Sequence, residues 1–265
     1  NVREKSPLIH NITNYVTAND VANILLACGG SAVMADAPEE AEEITSLAAG
    51  LCINLGTLNR DKLSAMLLAG KKANSLSKAV VLDPVGAGSS KFRTEAAKKL
   101  LSEVKFSAIR GNISEIKTLL GDKGGTMGVD ASLSDMHTDL KDIASEASAL
   151  SKSTGAVVVI SGKSDVISDG EKIGIVNNGC PIMSKITGSG CMLTALTAAF
   201  TAANKENTFE AALSAAVLMG VCGEFAFENI KKYGGGNAAF RNHLIDAVFN
   251  MDGITLERRA DYEIY

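Results

Sequence analysis

The strongest constraint on the fold is a set of strands that have no polar face. Ala79–Leu82 is apolar at every position and ends at Asp83-Pro84, and Ala156–Ile160 is a second segment of this kind. Strands buried on both faces are typical of a parallel sheet covered by helices. Between Thr17 and Ile160, further apolar segments alternate with helical patterns, at Ser31–Met34, Leu51–Leu55 and Ser107–Arg110. This alternation predicts an α/β fold with a mainly parallel central sheet and helices on both faces.

The other segments predict the edges of this fold. Val166–Ser168 and Ile173–Val176 flank Asp169-Gly170, a turn sequence that predicts a hairpin at one edge of the sheet. The polar, hydroxyl-rich opening from Ser6 to Thr17 carries no strand prediction. Residues Gly121–Ser134 are glycine-rich and predict a loop, and everything after the hairpin is predicted helical, with one break at Gly234–Asn237. Because no linker or repeat divides the chain, we expect one domain over residues 1–265.

Composition excludes several classes of function. The 265 residues carry a formal net charge of -4 and no tryptophan, so neither a basic footprint nor a stacking platform for nucleic acid is present. The five cysteines form no CxxC pair, which indicates reduced thiols and a cytoplasmic protein without a zinc site. No continuous apolar run approaches about 20 residues, so we expect no membrane span.

A glycine-rich turn runs directly into a helix at Thr187-Gly188-Ser189-Gly190-Cys191. The free N–H groups and the positive end of such a helix make an anion site. Cys191 falls in the first turn, where the thiolate form is favoured, so it is a candidate base or nucleophile. The structural alternative is a turn that packs a helix, with Cys191 a small buried residue.

Polar residues at the ends of the predicted strands are the other candidates, because ligands of open α/β sheets bind beyond the carboxyl ends of the strands. Asp83 and Glu115 are candidate Mg²⁺ ligands, Arg110 can neutralise phosphate, and Ser161 can bind a phosphate or its neighbour. These groups fit phosphoryl transfer, which requires positioning and charge neutralisation. Each also has a structural interpretation: Asp83 caps a turn, Arg110 and Glu115 form a surface ion pair, and Ser161 closes a strand. No GxxxxGK(S/T) element is present, and no GxGxxG follows the first strand.

The motifs of the chain resemble, in order, those of the hydroxyethylthiazole kinase family, within the ribokinase-like superfamily. The matching stretches cover nearly the whole chain and are His10–Thr17, Met34–Glu40, Asn54–Leu58, Leu82–Gly88, Arg110–Glu115 and Gly188–Cys191. The resemblance implies ATP-dependent phosphorylation of the primary alcohol of 4-methyl-5-(2-hydroxyethyl)thiazole in thiamine salvage, with Mg²⁺. It also implies a homotrimer whose thiazole site lies at a subunit boundary.

The resemblance also assigns residues. Met34 and Gly188 are expected to contact the thiazole, with Asn14 and Gly56 as further residues of that pocket. The nucleotide is expected at Arg110, Ser161 and Asn112, and the metal and phosphates at Asp83 and Glu115. Sugar kinases of this superfamily generally have an Asp base at the position of Cys191, whereas the thiazole kinases resemble one another in using Cys. We therefore hypothesise that Cys191 orients or deprotonates the alcohol, while the amides of the turn carry more of the catalysis.

Three alternatives stay open at this point. Two belong to the same superfamily, a kinase for the pyrimidine half of thiamine and a hydrated-nicotinamide dehydratase. The third is a thiazole-binding module without turnover. The opening His10–Thr17 and Cys191 point away from the first two, and the retained Asp83, Arg110 and Glu115 disfavour the third.

Overall fold

The computed structural model describes residues 1–121 and 139–265. Its strands are β1 (Leu8–Ile12), β2 (Ser31–Met34), β3 (Gly50–Asn54), β4 (Ala79–Asp83), β5 (Ala108–Gly111), β6 (Val157–Ile160), β7 (Asp165–Ser168), β8 (Ile173–Val176) and β9 (Tyr262–Ile264). They form one nine-stranded sheet in the order β2-β1-β3-β4-β5-β6-β7-β8-β9. Pairing is parallel from β2 to β6 and antiparallel from β6 to β9.

Helices cover both faces of the sheet. They are α1 (Val2–Lys5), α2 (Ala18–Ala27), α3 (Pro38–Leu47), α4 (Arg60–Ser75), α5 (Lys91–Glu103), α6 (Ile113–Leu120), α7 (Leu140–Thr154), α8 (Ser189–Ala203), α9 (Thr208–Tyr233), α10 (Asn237–Asn250) and α11 (Gly253–Arg259). One apolar core lies between the sheet and α2, α8, α9 and α10, and the other lies between the sheet and α3 to α7. The predicted fold class is confirmed.

Helix α8 is buried nearly all round, and its polar residues are accommodated by bonds to its own backbone. The hydroxyls of Thr197 and Thr201 donate to the carbonyls of Leu193 and Thr197. Such pairing removes the penalty of burying a hydroxyl. The helix can therefore cross the centre of the sheet and present its first turn at the carboxyl ends of the parallel strands.

Three segments differ from the sequence predictions. The opening, expected to be without a strand, contains β1, whose polar residues His10 and Asn11 are buried and hydrogen-bonded inside the protein. The C-terminal region, expected to be helical, also contains a 3-10 helix at Pro181–Lys185 and the exposed edge strand β9. The strand β9 does not show in local periodicity, because it is created by pairing with β8. Beyond Gly121, the predicted loop Gly121–Ser134 lies outside the described residues.

Among the described helices, α9 alone is long and apolar enough to cross a bilayer, with a mean hydropathy of 1.5. The sequence prediction did not anticipate that this helix passes the test of length and composition. Some 78% of its most apolar window is buried inside the protein. Packing in the core therefore accounts for its composition.

Candidate active site

The first turn of α8 is shaped by two glycines that make room for neighbouring side chains. Gly188 has a φ of 87°, in the left-handed region, and a Cβ there would lie 2.8 Å from the Thr17 Cγ2. A Cβ on Gly190 would clash with the guanidinium of Arg110. Glycine accepts a left-handed φ and has no Cβ to meet a neighbouring side chain. The packing of Thr17 and Arg110 against the turn therefore explains why Gly188 and Gly190 are glycines.

Cys191 lies at the centre of a hydrogen-bonded cluster from three strand ends. Its Sγ accepts from Asn14 Nδ2 at 3.4 Å and from Asn54 Nδ2 at 3.2 Å. The Asn54 amide also donates to Asp83 Oδ2 at 2.8 Å. Asn14 is itself fixed, because its Oδ1 accepts from the backbone N–H and the hydroxyl of Thr17. The cluster therefore joins the ends of β1, β3 and β4 to the start of α8.

Asp83 is the most deeply buried charged group of the site. Its Oδ2 accepts from Asn54 and, at 2.8 Å, from Thr194 Oγ1, whereas its Oδ1 has no hydrogen-bond partner among the described residues. The Nη1 of Arg110 lies 3.9 Å from Oδ1. Burial raises the pKa of the Asp83 carboxyl, and the Arg110 charge offsets this only partly.

Glu115 is held rigidly at the start of α6. Its Oε1 accepts from the Gly86 N–H at 2.8 Å, and its Oε2 accepts from the Asn112 N–H at 2.9 Å. In return, the Asn112 Oδ1 accepts from the Glu115 N–H, which completes a capping box. Burial and the nearby Asp83 raise the pKa of Glu115 to about 7. Asn112, expected at the nucleotide, thus uses its side-chain oxygen to fix Glu115.

Arg110 lies between the carboxylates and Ser161. It projects from β5, where one guanidinium nitrogen hydrogen-bonds the Ser161 hydroxyl and another faces Asp83. Its Nε is buried and has no hydrogen-bond partner in residues 1–121 and 139–265. The surface ion pair between Arg110 and Glu115, the structural alternative for these two residues, is absent from the ion pairs of the described residues, and Arg110 faces Asp83 instead.

The residues expected around the thiazole are grouped less tightly. Gly56 packs against Asn14, because a Cβ there would lie 2.8 Å from the Asn14 Cβ, and its N–H donates to Asn54 Oδ1. Met34 ends the edge strand β2 and is 40% exposed, with β1 between it and the Cys191 cluster. The structure therefore brings Asn14, Gly56, Gly188 and Cys191 together and leaves Met34 at the open side of the site.

The sequence expectation for the state of the Cys191 thiol was wrong. The start of a helix favours a thiolate, but burial raises the pKa of Cys191 above its ordinary value and the negative charge of Asp83 raises it further. Bonds from Thr17 and Asn54 and the charge of Arg110 offset these effects only in part. Cys191 is therefore a neutral thiol at pH 7.

Two contact residues were missed by the sequence analysis. Asn54 bridges Cys191 and Asp83, and it is the last residue of β3, so the strand-end rule that selected Asp83 applies to it too. Thr194 binds Asp83 and lies three residues after Cys191, on the same side of α8. Helical spacing from Cys191 is the signal that finds it.

Comparisons with known proteins agree with one another. The family model described as the hydroxyethylthiazole kinase family matches residues 1–253. A hydroxyethylthiazole kinase of Clostridium acetobutylicum is 54% identical over 100% of this chain and 97% of its own length, and one of Desulfovibrio desulfuricans is 45% identical over 98% and 94%.

Solved structures extend the comparison. The hydroxyethylthiazole kinase protein of Pyrococcus horikoshii OT3 is 35% identical, covers 100% of this chain and 96% of its own, and superposes with a TM-score of 0.88. The pyridoxal kinase of Staphylococcus aureus, solved in complex with AMP-PCP and pyridoxal, shares the fold at 16% identity, with a TM-score of 0.66 over 98% of both chains. On these matches and the motifs at its strand ends, the chain belongs to the hydroxyethylthiazole kinase family.

Proposed function

We propose that this protein transfers the γ-phosphoryl group of ATP to the primary alcohol of 4-methyl-5-(2-hydroxyethyl)thiazole, in thiamine salvage. The observation that carries the proposal is the continuous cluster from Asn14 through Cys191 and Asn54 to Asp83, placed at the first turn of α8 in a chain of this family. It offers hydrogen-bonding groups for an alcohol at one end and charged groups for phosphates at the other. Phosphoryl transfer needs that juxtaposition.

The alcohol is assigned to the side of the site formed by β1, β2 and β3. Met34, Asn14, Gly56 and Gly188 would surround the thiazole ring, and its hydroxyl would approach the Sγ of Cys191. The amides of Asn14 and Asn54 both converge on that sulfur atom, so they fix its position. A sulfur atom fixed next to the free N–H groups of α8 would hold the hydroxyl where it can approach the phosphoryl group in line.

ATP is assigned to the side formed by β5 and β6, with Arg110 and Ser161 as phosphate contacts and Asn112 at the edge of that site. Asp83 and Glu115 would hold Mg²⁺. The fit is supported by the unpartnered Asp83 Oδ1 and by the pKa of both carboxyls, which burial raises and a cation would lower. No cluster of three or more candidate ligands lies among the described residues, in keeping with an ion that retains waters and binds phosphate oxygens. When bound, Mg²⁺ would neutralise charge on the phosphates.

The alcohol proton is assigned to the Sγ of Cys191. The neutral thiol that predominates at pH 7 already carries a proton, so it acts as a hydrogen-bonding group that orients the hydroxyl, and the alcohol proton passes to the Sγ only in the fraction of the enzyme that holds Cys191 as a thiolate. A loose transition state places little demand on a base, so a small thiolate fraction is sufficient. The N–H groups of Ser189, Gly190 and Cys191 would stabilise the negative charge on the transferred group.

The assembly and location follow the family. We assign a homotrimer with the thiazole site at a subunit boundary, in the cytoplasm, with residues 1–265 as one domain. The support is the open side of the site, where Met34, Tyr15 and Val16 are 40%, 78% and 55% exposed. Apolar side chains beside a site suit burial by a second copy. Light scattering that returned the mass of one chain for the fully active protein would contradict the shared site.

ADP release in the presence of Mg²⁺ tests the function. The thiazole alcohol and the hydroxymethylpyrimidine are assayed in parallel, with ligand-dependent thermal stabilisation as a second readout. We expect ADP release when the thiazole alcohol is the substrate and none with the hydroxymethylpyrimidine. Release with the pyrimidine alone assigns the neighbouring kinase activity, and stabilisation by the thiazole without ADP release assigns a binding module.

A further inference from the structure

The side chain of Lys62 is a buried cation beside the site that no step of the proposed reaction uses. Its side chain is 9% exposed, and its Nζ donates to the Thr13 carbonyl at 2.8 Å and pairs with Asp36 Oδ2 at 3.2 Å. Thr13 belongs to the β1–α2 loop (residues 13–17) and Asp36 to the β2–α3 loop (residues 35–37). One ammonium group therefore joins two loops on either side of the proposed thiazole pocket.

Two features of the position are unfavourable for a cation, although the Nζ also lies 5.9 Å from the centroid of the Tyr15 ring. Lys62 is the third residue of α4, and positive charge is disfavoured at the N-terminal end of a helix. Its partner Asp36 is 55% exposed, so solvent screens the attraction that would repay the burial of the charge. An apolar residue would fill this place at lower cost, which indicates that the contacts of the ammonium serve the site.

The contacts of Lys62 lead to Cys191 in three steps. The ammonium holds the carbonyl of Thr13, the next residue is Asn14, and the Asn14 amide donates to the Sγ of Cys191. On the other side, Asp36 lies two residues after Met34, and the carbonyl of the intervening Ala35 binds His10 Nε2 at 2.7 Å. Both loops are therefore anchored to the protein interior, and Lys62 is the group that joins them to each other.

We propose that Lys62 is a positioning residue for the thiazole side of the site, fixing Asn14 beside Cys191 and Met34 across the pocket. The inference rests on the proposed function, because it assumes that these loops receive the alcohol. The nucleotide side lies across β3 and β4 from Lys62, at Arg110 and Ser161. Loss of the ammonium should therefore weaken the binding of the alcohol and leave that of ATP unchanged.

The chain offers a matched control in Lys78. Its Nζ donates to the carbonyls of Thr45, Ser46 and Ala48 at 2.9, 2.6 and 2.6 Å, at the end of α3 and directly before β4. It is thus a second lysine that ties main-chain carbonyls, placed at the opposite ends of the strands. Lys62→Met and Lys78→Met remove the same group, one beside the proposed pocket and one remote from it.

Steady-state kinetics separate a positioning role from a merely structural one. We expect Lys62→Met to raise KM for the thiazole alcohol on the order of tenfold or more, with KM for ATP within about twofold of the parent value. Lys78→Met should lower Tm and change neither KM. Equal changes of both KM values in Lys62→Met, or the same pattern in Lys78→Met, would overturn the proposal. If Lys62→Met does not fold, Asp36→Asn at the half-exposed partner should raise KM for the thiazole alcohol in the same selective way, by a smaller factor. An unchanged KM in that variant would also contradict the proposal.

A ligand-free measurement distinguishes failure of this inference from failure of the proposed function. Iodoacetamide labelling of Cys191, followed by mass spectrometry with half-buried Cys180 as internal reference, reports how firmly Asn14 covers the sulfur. We expect severalfold faster labelling of Cys191 in Lys62→Met than in the parent protein and no change in Lys78→Met. If the parent protein does not phosphorylate the thiazole alcohol, the proposed function fails and this labelling rate alone decides the role of Lys62. An unchanged rate would then reject it.

Discussion

The two ends of the parallel strands differ in how completely their buried polar groups are paired. At the carboxyl ends of β1, β4 and β5 lie all the buried side-chain atoms that have no partner within the described protein, namely Asn11 Oδ1, Thr13 Oγ1, Asp83 Oδ1 and Arg110 Nε. At the amino ends, Lys78 donates to three carbonyls with its one ammonium group. Unpaired buried polar atoms destabilise a protein. The carboxyl ends are thus built for a ligand at the expense of stability, and the amino ends are built for stability.

The largest expected effect comes from Asp83→Asn. Loss of the buried carboxylate should lower kcat on the order of 10³-fold, because Asp83 would help to hold the Mg²⁺ that neutralises the phosphates, and charge stabilisation at the transferred group is the main catalytic contribution. The same change should raise Tm of the ligand-free protein, since burial raises the pKa of Asp83 and so makes its ionised form a cost at pH 7. ADP release and thermal unfolding measure the two effects. A variant with lower Tm would contradict the contrast between the two ends of the strands.

Glu115 should make the ligand-free protein less stable as the pH rises. Its pKa is about 7 in the folded protein against an ordinary value of 4.5, so the folded state binds more protons between these values and stability falls from pH 4.5 to 7. The displacement corresponds to on the order of 3 kcal/mol. Glu115→Gln can keep the bond from the Asn112 N–H that belongs to the capping box but loses the one from the Gly86 N–H, and it should remove this part of the pH dependence in urea unfolding.

Glu103, near the amino ends of the strands, is the control for Glu115. It is exposed and accepts from Lys71, and this bond lowers its pKa, so its contribution is present at neutral pH and is lost as the pH falls. Glu103→Gln should therefore change the pH dependence of the free energy of unfolding in the opposite direction to Glu115→Gln. The change should be small, because Glu103 is exposed. If the free energy of unfolding of Glu115→Gln depends on pH as it does in the parent protein, the carboxyl ends do not carry the proposed cost in stability.

A glycine at each end of the strands gives the next contrast. In Gly190→Ala the new Cβ meets the Arg110 guanidinium, which must move, so KM for ATP should rise about tenfold with little loss of Tm. In Gly50→Ala, at the start of β3, the new Cβ would lie 3.0 Å from the Ala202 Cβ, which should lower Tm without changing KM for ATP. If Gly190→Ala instead lowers Tm and leaves KM for ATP unchanged, the glycines of the turn are structural.

The sequence alone could identify much of this arrangement. The apolar strands, the helix pattern between them and the rule of the carboxyl ends lead directly to Asp83, Arg110 and Ser161, because each of these signals is local. Asn54 was within reach of the same rule. The glycines of the turn were also recognisable, although the side chains that require them, Thr17 and Arg110, come from distant parts of the chain.

The remainder depended on contacts between distant segments. β1 was hidden because His10 and Asn11 are polar, and their burial is tolerated only through partners such as Thr45 and Ala35. Lys62 reads as an ordinary helical lysine, since its two partners lie in other loops. The pKa of Cys191 was misjudged for the same reason, because burial and the charge of Asp83, from β4, outweigh the local effect of the helix end.

The smallest expected effect concerns Cys191 itself and tests whether the carboxyl ends supply a base or only a fixed acceptor. In Cys191→Ser the hydroxyl can still accept from Asn14 and Asn54, so the fold should be retained and kcat should fall by less than about tenfold, because a loose transition state needs little help from a base.

The pH profile separates the two roles of Cys191. If its sulfur takes the proton, kcat of the parent enzyme should rise on the alkaline side of neutrality, because the raised pKa of the thiol leaves little thiolate at pH 7, and this rise should disappear in Cys191→Ser. Cys180→Ser, at a half-buried thiol outside the cluster, should keep the parent profile. Full turnover and an unchanged profile in Cys191→Ser would remove the thiol from proton transfer, and the catalytic contribution of this turn would then belong to its backbone N–H groups.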